Sequence, residues 1–188
     1  MTEIDSAASR RAQVIAAATQ VFLRYGYART TMADIAKSAG LTRPTLYLTF
    51  PDKERIFEAV VRTMVDEKLA QIRMDLRSEK SLEAKLRAAC DAWASDGYEL
   101  VRAHPDAADM FDLGFEAVCA GYGEFGRLLE ELLTEPLAKS ALNLSPQTLS
   151  RIIVYSLRGF KDTATDGVDM RSLIAVYVML VSASLAKS

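Results

Sequence analysis

Apolar residues recur at helical spacing along nearly the whole chain, and almost nothing alternates with a period of two. With only 9 Gly and 5 Pro in 188 residues, such a pattern leaves an all-α fold as the expectation. The length admits one sizeable core or two small ones. Half of the residues are hydrophobic and 26% are charged, an ordinary balance for a soluble protein. No apolar stretch follows Met1, so no signal peptide is expected and the chain is read as cytoplasmic. The longest apolar run, residues 173–181, is shorter than the roughly 20 residues that a bilayer span needs. Cys90 and Cys119 are expected to be reduced, small, buried residues. A single His argues against a cysteine–histidine zinc cluster, and no metal or cofactor is expected.

The punctuation divides the chain into helices. Residues 1–8 read as a polar tail. A first helix over 9–25 carries Val14, Ile15, Ala18, Val21, Phe22 and Tyr25 on one face, with Gly26 ending it. Thr31 and Asp34 form a capping-box pattern before a short helix, and Gly40 supplies a turn. Thr42 caps a second short helix with Pro44 in its first turn and Leu46 and Phe50 as inward anchors. Pro51-Asp52 ends this element and starts a long helix over 53–76. Further helices are expected over 81–103, 106–120, 122–140, 145–163 and 168–187. His104-Pro105 breaks the sequence, Pro136 is expected to kink its helix, and Ser145-Pro146 is a strong start signal.

The stretch 31–50, TMADIAKSAGLTRPTLYLTF, has the order of a helix-turn-helix: a short helix, a glycine turn, and a second helix with a polar leading edge. Such a second helix presents its first turn to the bases of the major groove. Arg43 has the fork that pairs with guanine, while Pro44 and the Thr45 methyl suit a thymine methyl. Thr31, Thr42, Tyr47 and Lys53 are candidates for the DNA backbone. The same pattern also occurs in helical bundles that bind no nucleic acid. Charge favours the DNA reading. Residues 1–55 hold 8 Lys or Arg against 5 Asp or Glu, and residues 56–188 hold 15 against 20.

Residues 11–61 resemble the N-terminal domain of TetR-family transcriptional regulators. The resemblance rests on Phe22 and Gly26-Tyr27 at the end of the first helix and on Thr31 to Gly40. It continues through Thr42, Leu46, Tyr47 and Phe50 to Lys53-Glu54. It implies backbone contacts by Thr31, Thr42, Tyr47 and Lys53 and base reading by Arg43, Pro44 and Thr45. Pro44 stands where the family more often has a small residue. The implied architecture is a three-helix DNA-binding domain, here 9–55, joined to a helical bundle, here 56–188, that binds a ligand and forms a homodimer. The implied activity is that of a repressor on a palindromic operator, released by a small-molecule effector. A dimeric DNA-binding regulator without an effector remains the alternative.

The body itself offers coarser signals. The last helix is apolar nearly all round, so a partner subunit is its natural cover. Ile152, Ile153, Leu157 and Phe160 on the penultimate helix join Ile174, Tyr177, Leu180 and Val181 as candidates for that interface. Trp93, Tyr98, Met110, Phe111, Phe115, Cys119, Tyr122 and Phe125 are candidates for a ligand pocket, although aromatic stripes are commonly core. Asp106, Asp109, Asp112 and Glu116 read either as a solvated face or as a lure for a cationic effector. No G-x-S-x-G, H-E-x-x-H or phosphate-binding glycine loop is present, so no catalytic residue is assigned and an enzyme is not expected.

Overall fold

Helix ends in this protein are set by side chains that satisfy the first free N–H groups. The computed structural model describes residues 3–186, with side chains from residue 7 onward, and the described residues form nine α-helices without a strand. The expected all-α class is what is found. Thr31 opens α2 (Met32–Ser38) with a complete capping box, and Thr42 opens α3 (Arg43–Thr49) with Pro44 in the first turn. Asp52 caps α4 (Lys53–Asp75) by accepting the Arg55 N–H at 2.8 Å. Ser81 opens α5 (Leu82–Cys90), and Ser145 opens α8 (Pro146–Thr163). Asp166 opens α9 (Gly167–Leu185) by accepting two backbone N–H groups.

Several boundaries differ from expectation. Helix α1 runs over Glu3–Arg29, so a helix replaces most of the expected tail, and Met1 and Thr2 lie outside the described residues. Its course breaks at Gly26, where φ is 77°. The expected helix over 81–103 is continuous but contains a π-turn, Asp91–Ser95, between α5 and α6 (Asp96–Ala103). No α-helix spans 106–120. Pro105–Phe111 is a tight 3-10 segment, and Asp112 turns the chain by accepting the Gly114 N–H at 2.8 Å. Helix α7 (Glu116–Lys139) then runs through both the expected break near residue 121 and Pro136. No capping residue stands at that break, and Pro136 comes in the last turns, where it forfeits a single backbone bond. Lys187, the expected end of the last helix, lies outside the described residues.

The chain forms two compact units. One is Met1–Val65 with Ala103–Cys119; the other is Asp66–Arg102 with Ala120–Ser188. These units do not coincide with a cut after residue 55, because the first half of α4 and the 3-10 segment belong with the head. Val14, Ala18, Phe22, Ile35, Leu46 and Phe50 are buried in the head. An aromatic cluster extends this core, with Phe57 edge-on to Phe22 at 5.6 Å and Phe115 at 4.6 Å from Phe57 and 4.8 Å from Tyr27. Tyr25 is exposed, so the expected apolar face of α1 ends at Phe22. The second unit buries Leu86, Phe125, Leu129, Leu133, Ile153, Leu157, Ile174 and Val178.

Helix α9 is long and apolar enough, by length and composition alone, to cross a membrane. One side of it is nevertheless core, through Met170, Ile174, Val178, Val181 and Leu185, and its first turns carry Asp169 and Arg171. Cys90 is buried, and burial beside Asp91 pushes its thiol up to about 12. Cys119 is exposed, contrary to expectation, with its thiol donating to the Leu113 carbonyl at 3.1 Å. Only the thiolate reacts, so a thiol reagent at neutral pH should titrate Cys119 in the native protein and Cys90 only after denaturation. Rapid native labelling of Cys90 would contradict this packing.

Candidate functional site

The second helix of the helix-turn-helix presents an outward edge. Arg43, Pro44, Tyr47 and Leu48 are exposed, Leu48 to 86%, while Leu46 and Phe50 anchor the other side. Leu48 is the most exposed large apolar side chain of this face and suits apolar contact with a thymine methyl. Gly40 makes the turn with φ 64°, and Leu41 N–H closes it on the Ala36 carbonyl at 2.9 Å. Arg11 lies over the Phe50 ring at 4.2 Å, covering the end of α3.

Capping engages several of the expected backbone binders. The Thr31 hydroxyl donates to Asp34 Oδ2 at 2.6 Å, and hydrogen bonding to Thr31 holds the Asp34 carboxyl below its usual range. The Thr42 hydroxyl shares a 2.8 Å hydrogen bond with the Thr45 hydroxyl and accepts the Thr45 N–H. Thr45 is half-buried as a result. Lys53 turns inward. Its ammonium donates to the Tyr27 carbonyl at 2.8 Å and to the Thr30 carbonyl at 3.0 Å, and lies 4.1 Å from the centre of the Tyr27 ring.

Those carbonyls belong to a turn, residues 27–30, that leads directly into α2. The break at Gly26 frees the N–H groups behind it, and Asp109 accepts two of them, Tyr27 at 2.9 Å and Ala28 at 2.8 Å. Arg29 pairs with Asp106 at 2.5 Å, and the Thr30 hydroxyl donates to the Gly26 carbonyl at 2.7 Å. The 3-10 segment thus packs along α1 with its carboxylates engaged. Asp106, Asp109 and Asp112 are therefore not a free acidic face for a cationic effector. They also change the electrostatics: the head unit, residues 1–65 and 103–119, holds 9 Lys or Arg against 10 Asp or Glu. Positive character is local to the α2–α3 edge, through Lys37 and Arg43, rather than a property of the whole head.

The pocket candidates divide between the units. Met110 is buried in the head, Phe115 belongs to its aromatic cluster, and Phe111 and Cys119 lie in the same unit. Trp93, Tyr98, Tyr122 and Phe125 lie in the other. Trp93, inside the π-turn, stacks on Phe125 at 4.5 Å with the rings parallel to 1°, and meets Tyr122 edge-on at 5.8 Å. Tyr98 closes the α8–α9 connection by donating to the Ala164 carbonyl at 3.0 Å. Among the described residues, no group of His, Cys, Asp or Glu is placed to hold a metal ion.

The interface candidates also divide. Ile153, Leu157, Ile174 and Val181 are buried within the protomer, and Phe160 packs edge-on against Tyr177 at 5.5 Å. The exposed apolar stripe consists of Ile152 and Tyr155 on α8 with Val176, Met179 and Leu180 on α9. A helix that is apolar all round carries no sequence signal of which side faces in, which is why Val176 and Met179 of α9 are not among the expected interface residues; Tyr155 of α8 is not among them either.

The sequence model for "Bacterial regulatory proteins, tetR family" matches residues 14–60. The HTH-type transcriptional activator FasR of Mycolicibacterium smegmatis is 36% identical over 98 residues, 49% of this chain and 45% of that protein. The chain spans about half the length of the curated relatives it matches. The fatty acid degradation regulator FadR from Bacillus halodurans aligns with a TM-score of 0.71 over 95% of this chain and 97% of its own, at 21% identity. FadR from Bacillus subtilis, solved in complex with stearoyl-CoA, aligns with a TM-score of 0.70 over 92% and 97%, at 19% identity. At these identities the structural likeness speaks for the fold. Residues 14–60 thus match the tetR-family sequence model, and the chain as a whole takes the fold of these solved regulators.

Proposed function

We propose that the chain is a ligand-responsive transcriptional regulator that binds a palindromic DNA operator as a homodimer and is released by a small-molecule effector. The outward edge of α3 carries this reading. Arg43, Pro44, Tyr47 and Leu48 stand free on a helix whose other side is locked into the head core. Arg43 reads a base, Pro44 and Leu48 contact thymine methyls, and Tyr47 holds a phosphate. Thr31 and Thr42 fix the ends of the two helices, and Thr45 stiffens the first turn of α3. Lys53 fixes the turn before α2.

A dimer supplies two such edges about 34–36 Å apart for successive major grooves. Effector binding in the second unit favours a state whose heads no longer match that spacing, which requires different effector affinities in the two states. Helices α4 and α7 each continue from one unit into the other and carry the linkage along the chain. Release by the effector fits a repressor. An effector that tightened operator binding would instead fit the activator role for which the M. smegmatis relative is named.

Selection of bound duplexes from a random pool tests the reading directly. A two-fold symmetric site is expected. Arg43→Ala should relax preference at one base pair of each half-site, at about 1–3 kcal/mol per lost contact. Unchanged base preference in that variant would remove α3 from the major groove.

A further inference from the structure

Among the described residues, Lys161 and Arg158 of the second unit form no salt bridge with a carboxylate. Lys161 and Arg158 lie one turn apart on α8, both turned toward the Tyr122 ring of α7, at 5.9 and 5.7 Å from its centre. The Lys161 ammonium rests against the α6 backbone at Gly97, so closely that a Cβ there would stand 2.9 Å from Nζ. Asp162 favours the charge of Lys161, but not enough to offset burial and Arg158. Asp162 points to solvent, and Asp96, beside Gly97, pairs with Lys68 at 2.9 Å. The same Tyr122 ring meets Trp93 edge-on at 5.8 Å, and Trp93, half-exposed, stacks on the fully buried Phe125. Trp93 sits in the π-turn, a rare helical form that is frequent at functional sites. An anion brought to this place gains two charge-assisted donors and a flat apolar wall.

We infer that Lys161 and Arg158 receive the anionic head of the effector while its apolar body lies against Trp93 and Tyr122. The ligand class is an amphiphilic anion, a carboxylate or a phosphate ester. This assignment rests on the reading of the second unit as a small-molecule sensor. Burial and the nearby Arg158 lower the Lys161 ammonium to about 8, well under the ordinary lysine value. Below that pH the site carries two positive charges. Above it Lys161 is neutral and Arg158 alone remains, so anion binding weakens as pH rises through about 8.

Trp93 is the only tryptophan, so its fluorescence reports the site without labelling. The whole protein is titrated with dodecanoate, dodecyl phosphate, dodecanol and dodecylammonium, each below its micelle concentration. At pH 7 the anions are expected to bind at least about tenfold more tightly than the alcohol, the worth of one good charge-assisted contact. The stronger of the two anions tells carboxylate from phosphate ester. Lys161→Met should erase most of the anion advantage while leaving dodecanol binding unchanged, and Lys161→Arg should keep the advantage and abolish its decline near pH 8. The wild-type series needs no variant to fold. Equal or tighter binding of dodecanol or dodecylammonium, or no response of Trp93 to any probe, overturns the assignment. Operator release is read separately on the selected duplex. Anion-selective binding without release upholds the site and sinks the sensor reading. Release by dodecanol and dodecylammonium as efficiently as by the anions upholds the sensor and sinks the site.

Discussion

Replacing Gly26 with alanine is expected to destabilise the head by about 3 kcal/mol, against about 1 kcal/mol for the same change at Gly40. Both glycines have positive φ, 77° and 64°, where a Cβ carries a backbone penalty. Only Gly26 is crowded as well. A Cβ there would lie 2.2 Å from the Asp106 carbonyl oxygen and 2.9 Å from Asp109 Oδ1, whereas nothing lies within 4 Å at Gly40. Relief requires the 3-10 segment to lift from α1, which breaks the two bonds from Asp109 to the Tyr27 and Ala28 N–H groups. Calorimetry should show the head transition falling on the order of 15 °C for Gly26→Ala and about 5 °C for Gly40→Ala. Operator affinity should fall with the first, because the disturbed turn leads straight into Thr31 and α2. Equal losses in the two variants would mean that the 3-10 segment yields freely and does not set the position of the reading helices.

The helix-turn-helix was legible because its signals are local. Thr31, Asp34, Gly40, Thr42 and Pro44 each act within a few residues, and each takes the place that its chemistry dictates. The return of residues 103–119 to the head was not legible. His104-Pro105 announces a break, but the capping of Tyr27 and Ala28 by Asp109 links positions some eighty residues apart, and no periodicity records it. A shorter separation, 26 and 23 residues, hid the role of Lys53, which reads as a DNA-backbone contact until the Tyr27 and Thr30 carbonyls are placed beside it. The place of Lys161 is not legible in the sequence for a related reason. Its burial depends on Gly97 and Tyr122, which come from two other helices. The aromatic pocket candidates divide between the two units, and composition alone does not distinguish the cluster around Trp93 from the head core that takes Phe115.

Leu180→Glu is expected to abolish the proposed dimer and leave a monomer at micromolar concentration. Leu180 is 60% exposed in the isolated chain, in a stripe with Val176 and Met179 on α9 and with Ile152 and Tyr155 on α8. Gly159 lies in line with the α8 residues, and a Cβ built on it would meet nothing within 4 Å, so it leaves room for a second backbone. In a two-fold interface every substitution occurs twice. Placing two unpaired carboxylates in an apolar contact costs about 4–6 kcal/mol per dimer after partial rehydration, a thousandfold or more in dissociation constant. Light scattering should therefore give twice the 20.7 kDa chain mass for the wild type and the chain mass for the variant. Met74→Glu serves as the control. Met74 on α4 is equally exposed, at 62%, but lies off the α8–α9 stripe, and its variant should remain dimeric. Helical content should be unchanged in both, since neither side chain belongs to the protomer core. The monomer should then lose the selected operator almost completely, because one α3 edge contacts only half of a symmetric site. A dimeric Leu180→Glu protein would move the interface off α9. A monomeric wild type that still bound a symmetric site tightly would show that the two heads assemble on the DNA rather than before it.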